Sequence, residues 1–438
     1  MFFPLGPTDR WTTVFANVSM SEPESGTHYG QGTLLRKRSG GFMKPLSLAS
    51  YLAAPLQNFT QVSVLELAIQ TRLTALRKKL CFCWHRTEDN IIYRTASALR
   101  AQDRIVLLSS SRDDKFSNIT ALSEKLRERA MPFIWLTQEQ LQAHPLRSLV
   151  SLARARVLVI DAASPAARIK LHRDTCLIHC WHAGGAYKKV AFDAKRKNYD
   201  DASEEKRIRR IHRGIDWFVC TSEETARTYA NAFRMPLEQM LVFGSPRLDV
   251  TLREVNFPTP STYTVLYAPT YRTRGKNVRY LPPLPDAETL RATLVSQLNE
   301  NVRLAFRGHP TAPFPASFGG WENWSHIPQH EALRRASVLI TDYSSIFFDF
   351  LPFNRPILFY VPDFNEYQRD ERELYFSPYD AFPETTCSDE LTLMQMLVQC
   401  RHRKVDYGEI WQKHMSACDG KASERLCAFI QKIMKGNI

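Results

Sequence analysis

Ser337-Val338-Leu339-Ile340-Thr341-Asp342-Tyr343-Ser344-Ser345-Ile346-Phe347-Phe348-Asp349 is the stretch from which the fold can be read. The apolar run predicts a buried strand ending at Thr341, and Ser344 or Ser345 then caps a helix predicted over 346–351. Backbone N–H groups at such a helix start, its dipole and two hydroxyls together offer an anion site. A plain serine cap explains the same residues equally well. Asp349, one turn on, either points at a cleft or stabilises the helix start.

The same alternation extends in both directions. Downstream, Pro356-Ile357-Leu358-Phe359-Tyr360 reads as a strand, and 407–434 is mostly helical. Upstream lie strands at 264–268 and 302–306, with helices at 287–298 and 331–336. An earlier series has strands at 104–109, 132–136, 157–161, 175–179 and 217–220, with helices at 119–129, 146–156 and 223–233. Short apolar runs between amphipathic stretches indicate parallel sheets with crossover helices. Two such series in succession predict two doubly wound domains with a ligand cleft at the carboxyl ends of their strands. Residues 1–60 mix Pro, Gly and Ser without a period and read as a poorly ordered extension, with a short helix near 46–56.

Composition fits this picture. The chain has 438 residues, 44% hydrophobic and 24% charged, which excludes a largely disordered protein. No run approaches the roughly 20 apolar residues of a membrane span. The beginning, with Asp9 and Arg10 soon after Met1, does not read as a secretory signal. Nine scattered cysteines favour free thiols in a reducing compartment. The net charge of +13 favours a polyanionic partner or a phosphate-rich substrate. Residues 188–213 carry ten Lys/Arg against five Asp/Glu, a solvated face or a contact for an anionic surface.

Two further motifs carry chemistry. Phe306-Arg307-Gly308-His309-Pro310 follows a strand, where Arg307 and His309 could neutralise a diphosphate; a surface loop is the plainer reading. Cys180-Trp181-His182-Ala183-Gly184-Gly185-Ala186-Tyr187-Lys188-Lys189 sets His182, a candidate general base, beside a Gly-Gly turn and two lysines. A metal site from Cys176, His179, Cys180 and His182 is disfavoured, because strand alternation splits those side chains between two faces. There is no Gly-x-Ser-x-Gly elbow, no Walker loop, no strand-linked Gly-x-Gly-x-x-Gly and no RNA-binding module, so a dedicated nucleic-acid binder is disfavoured.

Taken in order, these motifs resemble the CDP-glycerol glycerophosphotransferase family, which builds teichoic acids and related phosphate-linked capsular polymers. The matching pieces are Trp181-His182 with Lys188-Lys189, Gly244-Ser245-Pro246-Arg247-Leu248-Asp249 and Tyr267-Ala268-Pro269-Thr270-Tyr271-Arg272. Arg307-Gly308-His309-Pro310, the run 340–360 with Asp342-Tyr343-Ser344-Ser345 and Asp349, residues 363–372 and 419–425 complete the set. The likeness spans about residue 100 to the end of the sequence.

The resemblance implies an α/β, GT-B-like architecture of two facing Rossmann-type domains with a cleft between them. The expected divisions are an extension at 1–60, an acceptor domain at 61–240, a CDP-donor domain at 241–400 and helices at 401–438 packing back across the domains. The implied reaction moves glycerol phosphate, or ribitol phosphate as second choice, from CDP-glycerol or CDP-ribitol to an acceptor hydroxyl and releases CMP. His182 would deprotonate that hydroxyl, while Arg307, His309, Ser344 and Ser345 hold the diphosphate. Asp342, Asp349, Thr270, Arg272 and Arg247 belong to the donor side, and Gly184, Gly185, Lys188 and Lys189 to the acceptor side. No metal or cofactor is required by this layout. Many family members carry Gly-Thr-Pro-Leu where this chain has Ala183-Gly184-Gly185-Ala186-Tyr187, so acceptor identity does not carry over. The implied partners are a glycan, polymer or lipid-linked acceptor and, peripherally, an anionic membrane on the cytoplasmic face. A GT-B glycosyltransferase using a nucleotide sugar and a non-catalytic polyanion-binding protein are the competing readings.

Overall fold

The structure, a computed structural model, describes residues 104–109, 116–143, 145–162, 171–194, 201–212, 214–254, 257, 260–274, 278–280, 286–308 and 319–437. The expected extension at 1–60, its short helix, His309 and the basic residues Lys195, Arg196, Lys197 and Arg213 lie outside the described residues.

Two six-stranded parallel sheets carry the fold. The first contains β1 (Ile105–Ser109), β2 (Phe133–Thr137), β3 (Val157–Ile160), β4 (Cys176–His179), β5 (Trp217–Cys220) and β6 (Met240–Val242), in the order β2-β1-β3-β4-β5-β6. The second contains β7 (Tyr263–Tyr267), β10 (Val302–Phe306), β11 (Glu322–Asn323), β12 (Val338–Thr341), β13 (Ile357–Tyr360) and β14 (Thr386–Cys387). Its order is β11-β10-β7-β12-β13-β14. A separate antiparallel hairpin joins β8 (Arg272–Arg274) to β9 (Val278–Tyr280). This is the GT-B-like α/β architecture, and the nine strands read from sequence are all present.

Period-two alternation explains why those strands form. Val106, Leu108, Leu158 and Ile160 enter one core, while Ile105, Leu107, Val157 and Val159 enter another on the opposite face. The second sheet divides likewise, with Leu266, Leu339 and Phe359 on one side and Val265, Ile340 and Leu358 on the other. Strands buried on both faces need helices on both faces, and parallel pairing supplies them through crossovers. Strand order reverses between β7 and β12, so the loops after these two strands flank the crevice where such sheets bind ligands.

The helix Asn118–Glu128 is capped by Ser117, whose Oγ accepts from the Thr120 N–H at 3.0 Å, and it buries Ile119, Leu122 and Leu126. Beside it lies the helix Ala422–Met434, which returns to the first sheet and buries Leu426, Cys427, Ile430 and Ile433 with Ile105, Val157 and Val159. Asp249 caps this returning helix, accepting from the N–H groups of Ala422 at 3.0 Å and Ser423 at 2.7 Å. The seven described cysteines are all free. Among the described residues no helix is long and apolar enough to cross a membrane.

Candidate active site

The loop leaving β4 is held from three directions. His179 is buried and stacks on Phe218, and its Nδ1 accepts from the Trp181 N–H at 3.0 Å. Burial drives the His179 pKa down to about 3, so this imidazole stays neutral and structural. Trp181 adopts a left-handed backbone, φ 54°, a strain of about 1–3 kcal/mol for a bulky residue that the surroundings must enforce. Asn118 enforces it, donating its amide to the carbonyls of Cys180 at 3.0 Å and Trp181 at 2.8 Å. The same side chain accepts from Ser245 Oγ at 3.1 Å and the Arg247 N–H at 3.0 Å. Arg247 in turn donates to the His182 carbonyl and to both oxygens of Asp349, at 2.8 and 3.0 Å. The backbone of His182 is therefore fixed while its side chain is exposed, the imidazole lying 4.4 Å from the Trp181 ring between centroids.

From His182 the loop wraps around the segment that opened the sequence reading. A Cβ on Gly184 would lie 2.8 Å from Phe348 Cβ, and one on Gly185 (φ 54°) would lie 2.3 Å from the Phe348 ring. The Tyr187 hydroxyl donates to the Asp342 carbonyl at 3.3 Å. Tyr187 and Lys189 then pair antiparallel with 373–375: the Tyr375 N–H donates to the Tyr187 carbonyl at 2.8 Å and the Lys189 N–H to the Glu373 carbonyl at 2.9 Å. His182 thus lies on the Asp349 side of this segment and Lys188 on the Asp342 side.

The structure places several of the expected site residues inside the protein. Gly184 and Gly185, expected on the acceptor side, are buried, and their missing side chains let the loop press on Phe348. Arg272 and Asp342, expected to touch the donor, are 2% and 0% exposed and bound to each other at 2.8 Å. Arg272 also pairs with Asp363 at 2.7 Å, and its guanidinium lies over the Tyr343 and Tyr367 rings. Burial opposes that charge, but the two carboxylates more than compensate and hold the Arg272 pKa above its ordinary value. Arg247 and Asp349 are likewise a buried pair, at 2.8 Å, with Gln329 donating to Asp349 at 2.7 Å. These four residues brace the site, because a buried ion pair turns its charge inward.

Other residues stand differently. Arg307 is half-buried and donates to the carbonyls of Trp324 at 3.0 Å and Ile327, tethering the loop after β11. Ser344 and Ser345 are half-buried, but the helix after them spans only Ile346–Phe350 and Ser345 makes no side-chain cap. The expected helix dipole is thus small, and the hydroxyls are what remains for a ligand. Thr270 is buried, its N–H donating to Asp342 at 2.8 Å and its hydroxyl accepting from Lys188 Nζ at 3.2 Å. Lys189, by contrast, is paired with Glu373 at 2.6 Å.

Asn118, Asp363 and Arg372 were not singled out as site residues from the sequence. Asp363 and Arg372 are the two ends of the matching run 363–372, which was the available clue to both. An asparagine opening a helix reads as an ordinary cap, which hid Asn118. The side chains of the disfavoured metal site divide as alternation predicts, Cys180 packing in one core of the first sheet while His179 stacks on Phe218 of the other.

Comparison with known proteins agrees on one family. The sequence model described as CDP-Glycerol:Poly(glycerophosphate) glycerophosphotransferase matches residues 91–432. A teichoic acid ribitol-phosphate primase of Bacillus spizizenii is 26% identical over 375 residues, covering 78% of this chain and 95% of the relative. A teichoic acid glycerol-phosphate primase of Bacillus subtilis is 26% identical over 313 residues, covering 68% and 80%. The crystallised wall teichoic acid polymerase TagF shares the fold, with a TM-score of 0.66 and 19% identity over 84% of this chain and 98% of that one.

Proposed function

The chain belongs to the CDP-glycerol:poly(glycerophosphate) glycerophosphotransferase family, and we propose on that premise that His182 is its general base. The enzyme transfers an alditol phosphate from a CDP-alditol to a hydroxyl in teichoic acid-type synthesis, which removes the nucleotide-sugar and non-catalytic readings. The acceptor oxygen forms a bond to the phosphorus bearing the alditol. The bond from that phosphorus to the bridging oxygen breaks, and CMP leaves with the electron pair. His182 takes the acceptor's proton as the new bond forms.

The observation that carries this role is the placement of His182. Its imidazole is exposed, while its carbonyl is bound to an arginine anchored on Asp349, one turn from Ser345. A base held on fixed backbone with its ring open to substrate meets the geometric demand of proton transfer. Ser344, Ser345, Arg307 and His309 form the proposed grip on the diphosphate, where fixed donors stabilise charge on the departing CMP. CDP-glycerol is the proposed first donor and CDP-ribitol the second, since primases for both alditols are among the relatives. The acceptor is proposed to be a glycan, a growing polymer or a lipid-linked chain. Contact with an anionic membrane on its cytoplasmic face is proposed to be peripheral, through the basic residues within 188–213.

The test is CMP release from CDP-glycerol and CDP-ribitol with a primed acceptor. The wild type should turn over at least one donor, and His182→Ala should lose about 10²–10⁴ in rate while retaining its fold. A variant with near-normal turnover refutes the assignment.

A further inference from the structure

Most cations around the site are committed to neighbours. Arg272 binds Asp342 and Asp363, Arg247 binds Asp349 and Lys189 binds Glu373, while Arg307, already proposed for the diphosphate, donates to backbone carbonyls. Two differ among the described residues: Lys188 makes one hydrogen bond, to the Thr270 hydroxyl at 3.2 Å, and the Arg372 side chain makes neither a hydrogen bond nor an ion pair. Both are half-buried.

These two are neighbours in space. Lys188 is bridged antiparallel to Leu374, two residues beyond Arg372. The Arg372 N–H donates to the Tyr367 carbonyl at 3.0 Å, and Lys188 Nζ lies 6.0 Å from the Tyr367 ring centroid. We propose that Lys188 and Arg372 together form an anion subsite for the diphosphate of the CDP-alditol donor. The inference rests on the reading of the chain as a CDP-alditol transferase and adds to it residues that lie outside the serine turn and the 307–309 loop. Lys188 and Arg372 repel each other, Asp342 and Glu371 do not offset the cost of the Lys188 charge, and an anion bound beside both relieves it. The frame is rigid: Thr270, which orients Lys188, is itself tied to Asp342.

The titration of Lys188 agrees. Burial first, then Arg372, push its pKa down to about 7; Asp342 and Glu371 pull upward and Arg272 downward. The groups facing it are thus Thr270 and Arg272, Asp342, and Tyr367, Glu371 and Arg372, beside Tyr187 and Lys189 on its own segment. Near and above neutral pH much of the free enzyme carries a neutral Lys188, and an arriving diphosphate favours the ammonium. Donor binding then draws a proton from solvent to Lys188 Nζ in that neutral fraction of the enzyme. The donor's own phosphates, both esterified, do not ionise in this range.

The test is calorimetry of CDP-glycerol and CDP-ribitol at pH 8 without acceptor, in buffers of different ionisation enthalpy. Wild-type enzyme should take up part of a proton per donor bound. Lys188→Met and Arg372→Met should each weaken binding tenfold or more, with urea midpoints near wild type. Lys188→Arg should restore affinity without proton uptake, and Thr270→Val should weaken binding less than Lys188→Met. Donor affinities within twofold of wild type in both methionine variants overturn the inference and leave the transferase reading standing. If the same variants instead raise only the KM for a phosphate-bearing acceptor polymer, the anion is the acceptor's phosphodiester and the donor assignment is wrong. A wild type that binds neither CDP-alditol overturns the reading and the inference together.

Discussion

Arg272 and Lys188 both meet Thr270, yet they are opposites. The arginine is 2% exposed, satisfied by two carboxylates, stacked over two tyrosines and raised in pKa. The lysine has a single hydroxyl partner and a pKa lowered to about 7. Lying beside the same threonine therefore does not decide which cation is left for an anion. What decides it is how much of each charge the protein has already answered.

Substitutions can break that contrast in order of size. Arg272→Met strands the buried Asp342 and should cost about 3–5 kcal/mol in urea denaturation, the penalty of removing one partner of a buried pair. A loss under about 1 kcal/mol would place Arg272 with Lys188 rather than opposite it. Arg247→Met should cost somewhat less, about 2–4 kcal/mol, because Gln329 still serves Asp349. It should also slow CMP release, since the His182 carbonyl loses its anchor; unchanged turnover would show that Arg247 only stabilises. Gly185→Ala meets both the left-handed backbone and the Phe348 ring, and about 1–3 kcal/mol is expected by thermal denaturation. Phe348→Leu in the same chain should recover part of that loss. Lys188→Met should change stability at pH 7 by less than about 1 kcal/mol, because a neutral side chain replaces a charge the fold disfavours.

The pH dependence sharpens the last case. Folding lowers the Lys188 pKa, so between about 7 and its ordinary value near 10.5 the unfolded chain holds more protons. Stability gains from this residue as pH rises through that window, and the gain is absent in Lys188→Met. Paired urea titrations at pH 7 and 9 measure it, and equal slopes in the two proteins would refute the Lys188 assignment.

The sequence made the central strands legible because residues such as Ile105–Leu108 and Val338–Ile340 are buried on both faces and leave unbroken apolar runs. β11 and β14, with two residues each at opposite edges of one sheet, carry too little pattern to be seen. The motif loops were legible as motifs, but their partners were not. Arg247 and Asp349 are 102 residues apart and Arg272 and Asp363 are 91 apart, and no local periodicity joins them. For that reason Arg272 and Asp342 read as separate motif residues and not as partners of each other. It also explains why Gly184 and Gly185 read only as a Gly-Gly turn, with no sign that Phe348 fills the space beside them.

The helix Ala422–Met434 covers a face of the first sheet yet follows the whole second sheet in the chain. On a ribosome, the first Rossmann layer emerges early with Ile105, Leu107, Val157 and Val159 covered on that face only in part, by Ile119, Leu122 and Leu126 of the helix Asn118–Glu128. It must wait for some 180 further residues before Leu426, Ile430 and Ile433 arrive. Vectorial folding, in which one domain matures before the next is made, is incomplete in this topology until the last helix is added. The two halves mature together, and a chain stopped after the second sheet would leave the earlier half, not the later one, with its hydrophobic face open to aggregation.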